Sequence, residues 1–236
     1  MSVLPQKLRN KLHSLQSRQE RALAEVTGWK RYTMRARDNI DSLLQDRLPS
    51  HGTYLEAGAL DGFHCSNTYF LDRVKGWKGI LVEPNPFEFQ QCKKFRKRAN
   101  CIHAAMVPFD YPDSTVSICY GHDLTWTDGA YENSELESRQ QMLERYHLSG
   151  QKIDVPARTM QSILDEHQVE LTFLSLDVEG FEIQVLNGLD FAKSAPEFML
   201  IEIQNEDRLQ MMMEILGDYY GPGEKLTRHD YFFKRR

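Results

Sequence analysis

From Thr53 onward the sequence alternates short apolar runs with amphipathic stretches, a rhythm that few architectures satisfy. Runs at 54–57, 79–83, 101–106, 173–177 and 198–203, with a last one inside 225–234, read as strands, and helices are expected after most of them. Such βα repetition predicts an α/β fold in which a mostly parallel central sheet is flanked by helices. The 236 residues, 41% hydrophobic and 27% charged, suffice for one sizeable core. The expected division is an N-terminal helical extension over 1–50 and a catalytic-size domain over 51–236. Within the latter, 107–170 interrupts the rhythm and reads as an insertion, a lid or substrate platform.

The extension opens with Leu4, Leu8, Leu12 and Leu15 at helical spacing, interleaved with Lys7, Arg9 and Lys11. This basic amphipathic helix fits either a cap packed on the domain or a contact with an anionic membrane surface or another protein. A second helical piece is expected over 31–48. The net charge of -5 and pI near 5.9 argue against a general nucleic-acid binder, which needs a surplus of Lys and Arg. Cys65, Cys92, Cys101 and Cys119 form no CxxC pair and read as reduced thiols of a cytoplasmic protein. No apolar run approaches the roughly 20 residues of a transmembrane helix.

The first strand runs into "YLEAGALDGFHCSNTYF", where the chain breaks at two glycines and then turns helical. In open α/β sheets that first βα turn approaches the ligand. Gly58 and Gly62 do not fit the G-x-G-x-x-G spacing of dinucleotide sites, and Glu56 and Asp61 suit a cofactor bearing positive charge better than a pyrophosphate. S-adenosylmethionine, with its ammonium and sulfonium, is such a cofactor. Ser66, Asn67 and Thr68 are expected to cap the first helix and to direct donors at the cofactor's carboxylate. Glu83, ending "GILVE" about 20 residues on, stands where an acid reaches ribose hydroxyls. Read otherwise, the glycines make a tight turn and Glu83 favours a helix N-terminus.

The ordered segments "YLEAGALDGFHCSNTYFL", "GILVEPNP", "IDVPARTMQSIL" and "FLSLDVEGFEIQVLNG" closely resemble the FkbM-type methyltransferase family over about residues 53–203. The last is the most specific. The resemblance implies a class I, Rossmann-like methyltransferase that uses S-adenosylmethionine and methylates a hydroxyl of a sugar, glycan or natural product. It assigns the cofactor to Glu56, Gly58, Asp61, Gly62, Asn67 and Glu83.

Methyl transfer to oxygen needs a base or a metal to activate the hydroxyl. Asp177 and Glu179, at the carboxyl end of the fourth expected strand, are catalytic candidates, although Asp177 also reads as a helix N-cap. Glu202, an acid amid Met199, Leu200, Ile201 and Ile203, is costly to bury unless paired or ligated. It could share Mg2+ with Asp177, or pair with an arginine or a backbone turn. His122 is the alternative base, or a surface residue. Trp126 and Tyr131 offer faces for a sugar ring. A second functional class stays open, a catalytically silent cofactor-binding scaffold that pairs with another enzyme. An NAD-dependent oxidoreductase is disfavoured by the glycine spacing.

Overall fold

The computed structural model describes residues 34–120 and 151–236, together with positions 19, 20, 22, 23, 26, 27, 126, 127 and 141. The leucine-rich basic helix, His122 and Tyr131 lie outside the described residues. The side chain of Trp126 does too.

Strands β1 (Thr53–Ala57), β2 (Lys78–Val82), β3 (Asn100–Ile102), β8 (Phe173–Leu176) and β9 (Phe198–Glu202) pair in parallel. β11 (Asp230–Lys234) and β10 (Glu224–Lys225) close one side antiparallel, giving a seven-stranded sheet of order β10-β11-β9-β8-β1-β2-β3. Strand order reverses between β1 and β8, so the connections leave the sheet in opposite directions there and open a crevice at the strands' carboxyl ends.

The central strands are mostly apolar because both faces of the sheet are covered. Leu55, Ala57, Ile80, Val82, Leu174, Leu176, Met199 and Ile201 point to one side. There they meet α4 (Met160–His167) through Ile163 and Leu164, α5 (Glu182–Leu186) through Val185 and Leu186, and α7 (Glu206–Leu216) through Met212 and Leu216. Tyr54, Leu81, Phe173 and Leu200 alternate to the other side. They pack on α1 (Ile40–Gln45) through Ile40 and Leu44, on α2 (Tyr69–Arg73) through Phe70 and Leu71, and on Cys92 of α3 (Pro86–Phe95). A short α6 (Phe191–Ser194) precedes β9.

The piece expected to be helical over 31–48 is shorter. Within the described residues, Ala36 is extended, Asp38 and Asn39 adopt left-handed φ of 51° and 62°, and only Ile40–Gln45 is α-helical. The Asp41 carboxylate accepts a hydrogen bond from the Ala36 N–H at 2.7 Å, which holds this bend. Ile40, Leu44 and Leu48 are buried in the domain core, so residues 40–48 belong to the packed domain.

The expected third strand is two strands. β3 ends at Ile102, the chain turns at His103 and Ala104, and β4 (Ala105–Met106) starts a second sheet of order β4-β7-β5-β6 with β5 (Thr115–Tyr120), β6 (Trp126–Thr127) and β7 (Gln151–Arg158). β5, β7 and α4 are regular structure within the stretch read as an insertion.

The candidate active-site cleft

The crevice at the switch point holds about 680 Å3 of empty space, part of it open to solvent. Its floor is the carboxyl edge of the large sheet: Gly58 after β1, Glu83 after β2, Asp177 and Glu179 after β8. Met106, Ile118 and Thr127 of the second sheet form its opposite wall.

Gly58 has φ 77°, and a Cβ there would lie 1.8 Å from the carbonyl oxygen of Asp177. No other residue type permits this approach. It lets the chain leave β1 with the Gly58 N–H donating to Val82 O at 3.1 Å while the Asp177 N–H donates to Ala57 O at 3.3 Å, so the three floor loops are joined by backbone. Leu60 and Glu179, both on the cleft, also have positive φ, 49° and 54°. Such conformations concentrate at functional sites because surrounding structure must hold them.

Glu83 is buried, and each carboxylate oxygen accepts one backbone N–H: Oε2 from Leu60 at 2.8 Å, Oε1 from Asn85 at 2.8 Å. A second lone pair remains on each oxygen. Burial pushes its pKa up to about 8 against those two bonds. Asn85 accepts from Phe87 N and Glu88 N and so caps α3, with Pro86 at the first helical position.

The remaining cofactor candidates stand behind the floor. Glu56 follows Tyr54 and precedes Gly58 on the α2 side of β1, so its carboxylate meets the loop before α2. Oε2 accepts from Ser66 Oγ at 2.8 Å and Thr68 Oγ1 at 2.6 Å, and Oε1 accepts from Asn67 N at 2.8 Å. The Asn67 side-chain amide donates to Ser175 Oγ at 3.0 Å. The expected cap is therefore not formed: Thr68 precedes α2 without a side-chain capping bond, because these hydroxyls turn inward to a buried acid. Asp61 Oδ1 accepts from the N–H groups of Phe63 and His64, and Oδ2 pairs with His64 Nδ1 at 2.8 Å. Burial alone would raise Asp61, yet His64 and these bonds hold its carboxyl below the usual range. A Cβ on Gly62, φ 75°, would meet Arg96 Cγ at 2.8 Å.

Beneath this loop lies Arg96, 1% exposed. It donates to Asp72 at 2.8 Å, to Gly62 O at 2.9 Å, to Ser66 Oγ at 3.1 Å, to Tyr54 Oη at 2.7 Å and to Thr68 Oγ1 at 3.0 Å. One buried cation thus organises Glu56, Asp72 and the whole turn. The basic run "KKFRKR" contains it, but composition alone reads such a run as a solvated face.

The other end of the cleft is acidic. Carboxylate oxygens of Asp177, Glu182 and Glu202 lie within 4.8 Å of one another, so Asp177 and Glu202 are neighbours and a third acid stands beside them. Glu182 was not among the sequence candidates. Its place three residues after Glu179, at the head of a short amphipathic helix, was the available signal. Glu182 Oε1 accepts from Val178 N at 3.1 Å and Gly180 N at 3.0 Å, and its Oε2 is 4.0 Å from Arg208. Asp177 opens to the cleft while protein surrounds its remaining sides. Burial first, and then the charges of Glu202, Glu179, Glu182 and Asp230, raise its carboxyl well above the usual range. Glu179 lines the cleft as well. Among the described residues no helix is long and apolar enough to cross a membrane.

Among solved structures, the chain is similar to a methyltransferase FkbM from Methylobacillus flagellatus KT, with 15% identity and a TM-score of 0.51. The match covers 92% of this chain and 53% of that one, so the chain spans about half its length. A human methyltransferase 10 domain containing protein aligns at 11% identity and TM-score 0.49 over 99% of this chain and 98% of that one. A SAM-dependent methyltransferase from Aquifex aeolicus aligns at 10% and 0.43 over 87% and 92%. No curated protein matches the sequence. A family model described as the methyltransferase FkbM domain matches residues 56–231, and with the parallel sheet, its switch-point cleft and the acids on its floor, the chain belongs to the FkbM methyltransferase family, with a class I methyltransferase fold.

Proposed function

We propose that the protein is an S-adenosylmethionine-dependent O-methyltransferase acting on a hydroxyl of a sugar, glycan or natural product. The observation that carries this reading is the make-up of the cleft: its ionisable lining groups among the described residues, Glu83, Asp177 and Glu179, are all carboxylic acids at a switch point. A cofactor with a sulfonium and an ammonium complements that set, and a pyrophosphate does not. Glu83, with a free lone pair on each oxygen, is suited to accept both hydroxyls of a ribose. Gly58 brings backbone to the cofactor. Glu56, Asp61, Gly62, Ser66 and Asn67 act by holding the loop that faces it.

Bound S-adenosylmethionine supplies an electrophilic methyl group. Asp177, open to the cleft, accepts the acceptor's hydroxyl proton as the oxygen forms its new bond to the methyl carbon and the methyl–sulfur bond breaks to leave S-adenosylhomocysteine. Glu179 orients the acceptor beside it. His122, in the loop after β5, is the reserve base. Where Mg2+ takes part, Asp177 and Glu202 are its expected ligands, with Glu182 as a third oxygen donor. Such an ion would lower the pKa of the acceptor hydroxyl.

Calorimetric titration with S-adenosylhomocysteine tests the cofactor assignment. Binding by the wild type and a loss in Glu83→Ala are expected. No binding, or equal affinity in Glu83→Ala, rejects it. For the chemistry, a folded Asp177→Asn protein should bind the same ligand yet transfer methyl about 10²- to 10⁴-fold more slowly.

A further inference from the structure

The chain carries a net charge of -5, yet one corner of the molecule is basic. Between residues 73 and 99 every exposed charge is positive, and the only acids of that stretch, Glu83 and Glu88, are buried. Arg73, Lys75 and Lys78 surround the turn from α2 to β2, and Lys93, Lys94 and Lys97 end α3 and follow it. The fold gathers them. α2 and α3 pack on the same face of the sheet, so their carboxyl ends lie together at its amino edge, opposite the cleft. Lys78 and Arg98 each stand two residues before the paired Ile80 and Asn100. Arg98 donates to Asp72 Oδ1 at 2.6 Å, which ties the end of α3 to the end of α2. Asp72 is buried between Arg96 and Arg98, and Glu166 of α4, next to the His167 that meets Asn100, is paired with Arg158. Among the described residues no ion pair engages Arg73, Lys75, Lys78, Lys93, Lys94 or Lys97. At the tip of the α2–β2 turn Val74 is 56% exposed between Arg73 and Lys75, and a Cβ on Gly76 would meet nothing within 4 Å, so the turn projects into solvent. Buried Trp77 roots it in the core.

We propose that this amino-edge corner docks on an anionic lipid bilayer, with the lysines and arginines against the headgroup charges and Val74 in the headgroup layer. A nucleic-acid strand also presents phosphates, but surfaces that hold one add aromatic faces for its bases. Here Trp77 and Phe95 are buried, Phe89 stacks on His103, and exposed Phe87 lies at the other end of α3. An aliphatic tip ringed by basic groups matches a bilayer instead. The cleft, at the carboxyl edge, stays open on the side away from the lipid.

The test is co-sedimentation of the full chain with vesicles of phosphatidylcholine alone and of an equimolar phosphatidylcholine–phosphatidylserine mixture. Binding is expected to the anionic vesicles only, and it should fall steeply with added salt, which screens exposed charges. The triple variant Lys75→Gln, Lys78→Gln, Lys97→Gln changes exposed side chains outside every ion pair of the described residues. At about fivefold for each lysine, it should bind the anionic vesicles on the order of a hundredfold more weakly, with an unchanged melting temperature. Val74→Ser should weaken binding severalfold. Equal sedimentation of the triple variant and the wild type would assign binding to the N-terminal basic segment and overturn the proposal. No preference for the anionic vesicles, unchanged binding by Val74→Ser, or tighter binding of the wild type to single-stranded polyuridylate than to the vesicles overturns it as well.

Discussion

Glu56 accepts three hydrogen bonds and lies 3.8 Å from a buried arginine. Asp177, at the end of the adjacent strand, accepts none among the described residues and faces four other acids. Both loops bring carboxylates to one edge of one sheet, yet the acid of the first is tied down by a buried arginine and hydroxyls while Asp177 of the second opens to the cleft. The first is finished as a scaffold. The second presents its acid to the space where a ligand would sit.

The comparison can be broken most severely from beneath the neutralised loop. Arg96→Met leaves Glu56 and Asp72 buried with their shared cation gone, and a loss of about 3–5 kcal/mol in chemical denaturation is expected. A smaller loss would mean that the hydroxyls alone hold the turn. Gly58→Ala drives a wedge between the two loops, through a strained φ and contact with Asp177 O. A cost of about 3 kcal/mol, with loss of S-adenosylhomocysteine binding, is expected.

Titration sharpens the contrast. Glu83 is raised to about 8, Asp41 to about 7, and Asp177 is raised as well. The folded protein therefore holds these protons after the unfolded chain has released its own, so they make stability fall as pH climbs from about 4 to about 8 and level off above. Denaturation midpoints across that range should show it, and Glu83→Gln should flatten the slope. Asp177→Asn, which removes the carboxyl that burial and neighbouring acids keep protonated, should change the melting temperature little in acid and raise it relative to the wild type as pH climbs. The smallest effect belongs far from both loops: Arg47→Ala breaks an exposed pair with Glu224 and should cost less than about 1 kcal/mol.

Much of this was legible from residues alone, where burial is two-sided. Runs such as "GILV" and "FLSL" can only be interior strands once helices cover both faces, and Glu83 and Asp177 are found at their ends. β7 was not legible, because "QKIDVPAR" alternates charged and apolar residues around a proline and sits in a half-exposed sheet. Thr127 was invisible for another reason. Its position depends on which strand lies opposite Ile118, a tertiary fact without local pattern. The inward turn of Ser66 and Thr68 was misread because serine and threonine before a helix ordinarily cap it, and here the buried Glu56 competed successfully for their hydroxyls.

The corner at His103 and Ala104 has a mechanical meaning. Two residues separate the last strand of one sheet from the first strand of the other, and the His103 ring bonds to Pro84 O at 2.9 Å while stacking on Phe89. The jaws of the cleft thus share a short, braced joint immediately beside Glu83. Such a joint ties the two walls together: Pro84, and with it Glu83, cannot shift without disturbing the step from one sheet to the other.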